Sequence, residues 1–565
     1  MDVPEVSSVL LRLLVYVFLR WVPGHVFPTA IYTLFAIYVA SYFYTKSNPK
    51  ASWRSLVFGG RTSDPLISWA AFGTNIILVL VSLDLVYRAY LLHPSEDVSF
   101  VRIGYVSDEE VKFLIRERNQ TSMPVSIKIC VQDDPEDCAN SAEVMETSES
   151  TDFTAMIPAS FWRKGQTIYD WTSSNGYSGT VTSAPRPGVM PETGNFTFLS
   201  TSCIINHFPY NILDHSLAIP GVRHLSKLLP ELGAQFMLFL GDFIYIDVPH
   251  RFGTNIEDYR RKYRQAYASP DMATVMESLP WIHILDDHEI ANDWDAGTTG
   301  VYETAVDPYE HYHAAANPPV ARQAGMSVGR EGANYFEFTQ GPAAFFMLDA
   351  RSYRSPNTQA DDESKTFLGA EQLEDFLAWI GRDEPAGVSW KVVASSVPFT
   401  KNWPVNRQDT WGGFLTERSK VLEAMWGASK KGYGFVILSG DRHEFAATAF
   451  PPPENSTYTA EQTVYEFSTS PLNQFASPFG TYVQNDSEDV ELKYIPAGNS
   501  KVGAFTIFND EEGKSSMQYR VFIDGVMAWN KTITAPARVA QGSVPVIQKE
   551  IPQGGIWDRL SSYFQ

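Results

Sequence analysis

The chain has 565 residues, 44% of them hydrophobic and 13% aromatic, which is enough apolar surface for a sizeable core and roughly three or four domains. Its formal charge is −21, which excludes nucleic acid as the main partner, because a phosphate backbone is bound by a basic surface. A small anionic ligand stays compatible with that charge only where bound cations reverse the local field.

The N-terminal 95 residues read as a membrane anchor. Residues 27–44 (FPTAIYTLFAIYVASYFY) carry no charge, and residues 65–87 carry one acid, Asp84, near their end. Both approach the ~20 apolar residues that span ~30 Å of hydrocarbon. Val9–Val22 is shorter and contains Arg12 and Arg20, so it reads either as a third span or as an amphipathic helix in the interface. Lys46, Lys50, Arg54 and Arg61 lie in the loop 45–64 with Asp64 as its only acid. The positive-inside rule places that loop in the cytosol and everything after Tyr87 in a lumen or outside the cell. Five Asn-x-Ser/Thr sequons, at Asn119, Asn195, Asn455, Asn485 and Asn530, follow the second span and are glycosylation candidates. All three cysteines also follow it. Cys130 and Cys138 are spaced to close a disulfide across a hairpin, which leaves Cys203 over.

Residues 96–190 alternate in short runs (FVRIGYV, EVKFLIR, VSIKICV, DFTAMI, QTIYDW) broken by Asn, Asp, Pro and Gly, the pattern of a small all-β sandwich module. From 191 to 545 strand-length apolar runs alternate with helix-period segments such as AEQLEDFLAWI and ERSKVLEAMW, which means a layered α/β domain. Residues 546–565 form a C-terminal tail whose IWDRLSSYF is aromatic and amphipathic.

In the α/β region the strand ends carry the chemistry, as expected for loops at the carboxyl ends of strands. FLSTSC supplies Cys203. GDFIY supplies Asp242 and Tyr245, three apart on one turn. ILDDHEIANDW supplies Asp286, Asp287, His288, Glu289 and Asn292, and LSGDRH supplies Asp441 and His443. Thiolate and phenolate favour a ferric-type ion, whereas carboxylate, carboxamide and water favour calcium, magnesium or manganese. Arg351 and Arg354 in LDARSYR, and Arg442 beside the ligands, are candidates for holding phosphate oxygens. His288 is a candidate for orienting Asn292 or a leaving group. His311 and His313 read as rim or structural residues.

Taken in order over residues 196–475, GDFIY, DDHEIANDW, LDARSYR and LSGDRHE resemble the PhoD-like alkaline phosphatases, a branch of the metallophosphatases. The resemblance implies a two-sheet β-sandwich flanked by helices, preceded by a β-rich module. It implies a ferric ion (Fe3+) on Cys203, Asp242, Tyr245 and Asp441, and calcium on Asp242, Asn292 and His443, with zinc, manganese or magnesium as alternatives. The activity it implies is hydrolysis of a phosphomonoester or phosphodiester by a metal-activated water, with Asp242, Asn292, His443, Arg351 and His288 at the catalytic centre. A small phosphate ester and a lipid-linked head group both remain as substrates. A catalytically inactive phosphatase-like scaffold is the third reading, and a lost ligand would favour it; none of the six matched positions is lost.

Overall fold

The computed structural model of the chain describes residues 2–48, 53–319 and 333–537. Lys50 and the 546–565 tail therefore lie outside the described residues.

The chain opens with four helices: α1 (Val3–Arg20), α2 (Val26–Tyr44), α3 (Trp53–Phe58) and α4 (Pro65–Leu92). α2 and α4 are long and apolar enough to cross a membrane. α1 includes most of the Val9–Val22 stretch and packs with α2 and α4 around Leu11, Val15, Phe18, Ile31 and Val79. Its Arg12 is satisfied inside that bundle, donating to Asn75 Oδ1 and to the Leu56 carbonyl, each at 2.8 Å. A charge within an otherwise apolar helix is tolerated when its donors are met in this way. α4 starts on Asp64, whose side chain caps the Leu66 and Ile67 amides. It runs on to Leu92, past the end of the apolar run.

Next come two small antiparallel sheets. One orders strands 100–106, 110–116 and 154–160; the other orders 134–140, 127–131, 168–173 and 178–182. They share a core of Ile103, Phe113, Ile129 and Trp171, because alternating residues send one apolar face inward from each sheet. Cys130 and Cys138 face each other across paired strands and are joined by a disulfide.

The remainder is mixed α/β built on two large sheets. The six-stranded sheet orders 281–283, 237–239, 195–201, 501–509, 515–523 and 526–534. The seven-stranded sheet orders 336–340, 343–347, 390–395, 434–439, 464–469, 445–450 and 490–495. One core cluster draws on both, with Phe198, Phe236, Phe345, Val436, Phe467 and Phe505 among its members. Helices Pro220–Leu232, Ile256–Tyr267 and Tyr302–Tyr312 cover the first sheet, and Gly369–Gly381 and Leu415–Ser429 cover the second. Strands 195–201, 237–239 and 281–283 run parallel in one sheet, as do 390–395 and 434–439 in the other. Their carboxyl ends deliver the loops that carry the site.

Candidate active site

Cys203 follows strand 195–201, Asp242 and Tyr245 follow 237–239, and Asp441 and His443 follow 434–439. Adjacent turns are stitched through the backbone: the Cys203 amide donates to the Gly241 carbonyl at 3.0 Å, and the Ile204 amide to the Asp242 carbonyl at 2.8 Å. Gly241 is required there, since a Cβ would lie 2.4 Å from that of Asp286 and its φ is +93°. Cys203, Asp242, Asp441 and His443 all hold left-handed backbone, at φ 63°, 58°, 71° and 58°. Such strain persists where surrounding structure over-determines it, and it clusters at functional sites.

These turns bring four side chains together. Cys203 Sγ lies 3.3 Å from Asp242 Oδ2, which also accepts the Tyr245 hydroxyl at 2.8 Å. Tyr245 Oη lies 2.9 Å from His443 Nε2. Asp441 is close enough to push the Cys203 thiol further up. Ser202 and Ser470 hydroxyls stand 3.0 and 3.3 Å from the sulfur.

Beside this group, Asp287 and His288 approach Asp242 to form a second constellation, and Asp287, Asp293 and Asp409 form a third; within each, the donor atoms lie within 4.8 Å of one another. His288 is held by Asp247, Nδ1 to Oδ1 at 2.7 Å, and its ring stacks on Tyr245 with centroids 4.1 Å apart. Asn292 stands at the exposed rim, with its backbone amide on Asp247 Oδ2 at 3.0 Å. Glu289 is buried beneath the site and accepts the amides of Asp242 and Asp286, each at 3.0 Å, so it fastens both acid-bearing turns.

The site is short of positive charge. Burial pushes the Cys203 thiol, the Asp242 carboxyl and the Tyr245 phenol well above their ordinary values, and neighbouring acids push the same way. Burial raises Asp441 to about 7, with Arg442 opposing, and Asp286 to about 6, with Arg351 opposing. Burial holds His443 well below its ordinary value. His288 departs from this pattern: burial opposes its charge, but Asp247, Asp287 and Asp242 outweigh burial and raise it well above the usual range. Asp286 Oδ2, Asp287 Oδ1 and Asp441 Oδ2 are buried and accept no hydrogen bond, although Arg351 stands 3.6 Å from Asp287 Oδ1 and Arg442 3.1 Å from Asp441 Oδ2. Among the described residues no lysine or arginine pairs with Asp242. Acids pushed toward their neutral forms, with orphaned oxygens and a neutral imidazole, are a donor set that a cation would complete.

Two of the arginines expected to hold phosphate are engaged by acids of the site. Arg351 is fully buried, with Nε on Asp286 at 2.6 Å, Nη1 and Nη2 on Asp409 at 2.8 and 3.0 Å, and Nη2 also 3.6 Å from Asp287. Arg354 donates to Asp409 as well and packs against the rings of Phe367 and Phe414. The physical reason is the surrounding acid: Asp409 alone takes two guanidinium groups, and they hold it down to about 2 against the effect of burial. Arg442 is the arginine left at the margin, with Nε 3.1 Å from Asp441 and Nη2 on the Asn406 carbonyl.

His313 is buried and stacks on His283 at 3.6 Å, a packing role, while His311 pairs with Asp307 on its own helix. Sequence reading missed Asp247, Asp293 and Asp409. Asp247 lies five residues beyond Asp242 in GDFIYID, and Asp293 is the acid of ANDW, so both had a local signal. Asp409, in NRQDTW, had none.

Residues 198–518 match the PhoD-like phosphatase family, more than half of the chain. Among solved structures, that of PhoD superposes with a TM-score of 0.57 at 16% sequence identity, covering 77% of this chain and 88% of that chain. At that identity the likeness speaks for the fold. No curated protein matches the chain.

Proposed function

Because the chain belongs to the PhoD-like phosphatase family and is a phosphoric ester hydrolase, we propose that its reaction takes place at the strand-end cluster and depends on metal ions held there. The observation that carries this is the convergence of Cys203, Asp242, Tyr245 and His443 on one point, beside buried carboxylate oxygens that accept no hydrogen bond. A ferric ion on Cys203, Asp242, Tyr245 and Asp441, with calcium on Asp242, Asn292 and His443, suits the mixture of soft and hard donors. Bound there, such ions supply positive charge that polarises the phosphoryl group and lowers the pKa of an attacking water.

The chain's own residues do the rest. Glu289 fixes the Asp242 and Asp286 turns so that the donors stay in register. Asp247 pins His288 Nδ1, which leaves Nε2 as the ring's second donor, available for a proton to the leaving oxygen. Arg351 and Arg354 neutralise Asp286 and Asp409 and keep that wall rigid. Arg442, at the margin, is the group placed to meet a phosphate oxygen.

The catalytic region, 191–545, with the β-rich module 96–190 beside it, stands on the anchor 1–95 outside the cytosol. The basic loop 45–64 and the exposure of all five sequon asparagines support that orientation. Hydrolysis of mono- and diester model substrates by the full chain tests the reading. Activity lost on chelation and restored by metal is expected; activity that survives exhaustive chelation would contradict it.

A further inference from the structure

The folded region is docked on the membrane helices rather than tethered to them. Gln265 Nε2 donates to the carbonyls of Ala89 and His93 at 3.1 and 2.9 Å. Tyr210 donates its hydroxyl to Asp84 at 3.0 Å and its backbone amide to the Leu19 carbonyl, so one loop binds the ends of both α4 and α1. Tyr90 stacks on Phe252 at 4.0 Å, and the Arg261 guanidinium lies 4.6 Å from the Tyr90 ring centroid.

Between these contacts runs a crevice with about 800 Å³ of atom-free space, its open mouth included. It is a narrow slot. Leu85, Val86 and Ala89 of α4 form one wall, and Ile204, Ile244 and Ile246 form the other. Its lining includes Tyr245, which also belongs to the strand-end cluster. Arg261 and Lys262 line the slot as well, and Lys262 Nζ donates to the Val248 carbonyl at 3.1 Å. The first charges on α4, Asp84 and Arg88, mark the level at which the helix leaves the hydrocarbon. At that level the 211–213 loop projects Ile212, 56% exposed, and Leu213, 90% exposed, while Arg88 holds the Ile212 carbonyl.

We propose that this slot takes an acyl chain of a membrane phosphodiester lipid whose phosphate is presented to the strand-end cluster, with Ile212 and Leu213 seated in the same leaflet. The proposal rests on the phosphoesterase reading above and names its substrate class. A wall built from a membrane-crossing helix gives the slot an entrance at the bilayer. The apolar side chains facing each other across it, Leu85 and Val86 against Ile204, Ile244 and Ile246, suit methylenes. Arg261 and Lys262 suit an anionic head group, with Asp258 the acid that shares the lining. A projecting apolar loop tip beside a membrane helix is an interfacial anchor rather than a solvent-facing surface.

The test uses the full chain in nanodiscs containing phosphatidylglycerol with a photoactivatable acyl chain. Label is expected in the folded region at 204–206 and 244–248, not only on α2 and α4, and Ala89→Phe, which narrows the slot, lowers it at least tenfold. Wild-type label confined to the membrane helices overturns the proposal, as does label at 244–248 that Ala89→Phe leaves unchanged. On the same samples, hydrolysis of long-chain phosphatidylglycerol relative to its deacylated, water-soluble counterpart falls about tenfold in Ala89→Phe; an unchanged ratio also overturns it. A wild-type protein that hydrolyses neither ester defeats the phosphoesterase reading instead, and the labelling still decides the slot.

Discussion

Asp152 and Asp242 are both buried and both held in left-handed backbone, at φ 49° and 58°, yet their surroundings differ in kind. Asp152 receives Arg116 at 3.0 Å, Arg264 at 2.9 Å and the Tyr312 hydroxyl at 2.6 Å, which ties the β-rich module to helices Ile256–Tyr267 and Tyr302–Tyr312. Asp242 meets a thiol and a phenol, and the cation beside it is the His288 imidazole rather than a guanidinium group. Asp152 is a structural tie surrounded by guanidinium groups, whereas Glu289 is one fastened by backbone amides. Asp242 has no guanidinium partner among the described residues, and the metal proposed above would supply the balancing charge. Asp409 belongs to the first kind although it borders the site, since Arg351 and Arg354 hold it.

The sharpest way to break this contrast is to neutralise each acid. Asp242→Asn is expected to lower hydrolysis on the order of a thousandfold. The metal-free protein should melt no lower than wild type, because a buried carboxyl with no guanidinium partner has been replaced by a neutral amide. A large drop in its melting temperature would show Asp242 to be a tie like Asp152. Asp152→Ala should do the reverse. Leaving Arg116 without its buried carboxylate, while Arg264 keeps Glu257, costs about 3 kcal/mol of stability, read by denaturant unfolding, while metal content and turnover per folded molecule stay at the wild-type level. Lost turnover with intact stability would erase the distinction. Asp247→Asn should fall between the two: it frees His288 to rotate and lowers kcat about 10–100-fold with little change in stability. Wild-type kcat in that variant would remove His288 from the proton-handling role.

Much of this site was readable from the sequence because Gly-Asp and Ser-Cys after apolar runs mark strand ends, and strand ends in layered α/β folds converge. Gly241 and Gly440 show why the glycines are there: a Cβ at either would strike the neighbouring turn, at Asp286 or Ser202. What stayed hidden lies in long loops. Asp409 reaches the site from a segment with neither periodicity nor motif, and only the folded chain sets it against Asp287 and Asp293. The direction of Arg351 was hidden for a related reason. An arginine at a strand end turns inward or outward according to how many acids surround it, and Asp409 was the acid not counted. Among the N-terminal helices, Arg12 made Val9–Val22 ambiguous, because its partners, Asn75 and the Leu56 carbonyl, lie more than forty residues away.

The most direct test of the central claim is the metal content of the full chain purified without chelator, measured with its visible absorption beside Asp242→Asn and Tyr245→Phe. The account predicts bound iron with a second, divalent metal, a visible phenolate-to-iron band that Tyr245→Phe abolishes, and loss of metal in Asp242→Asn. A wild-type protein that carries no metal, and stays inactive when iron and calcium are supplied, would contradict it.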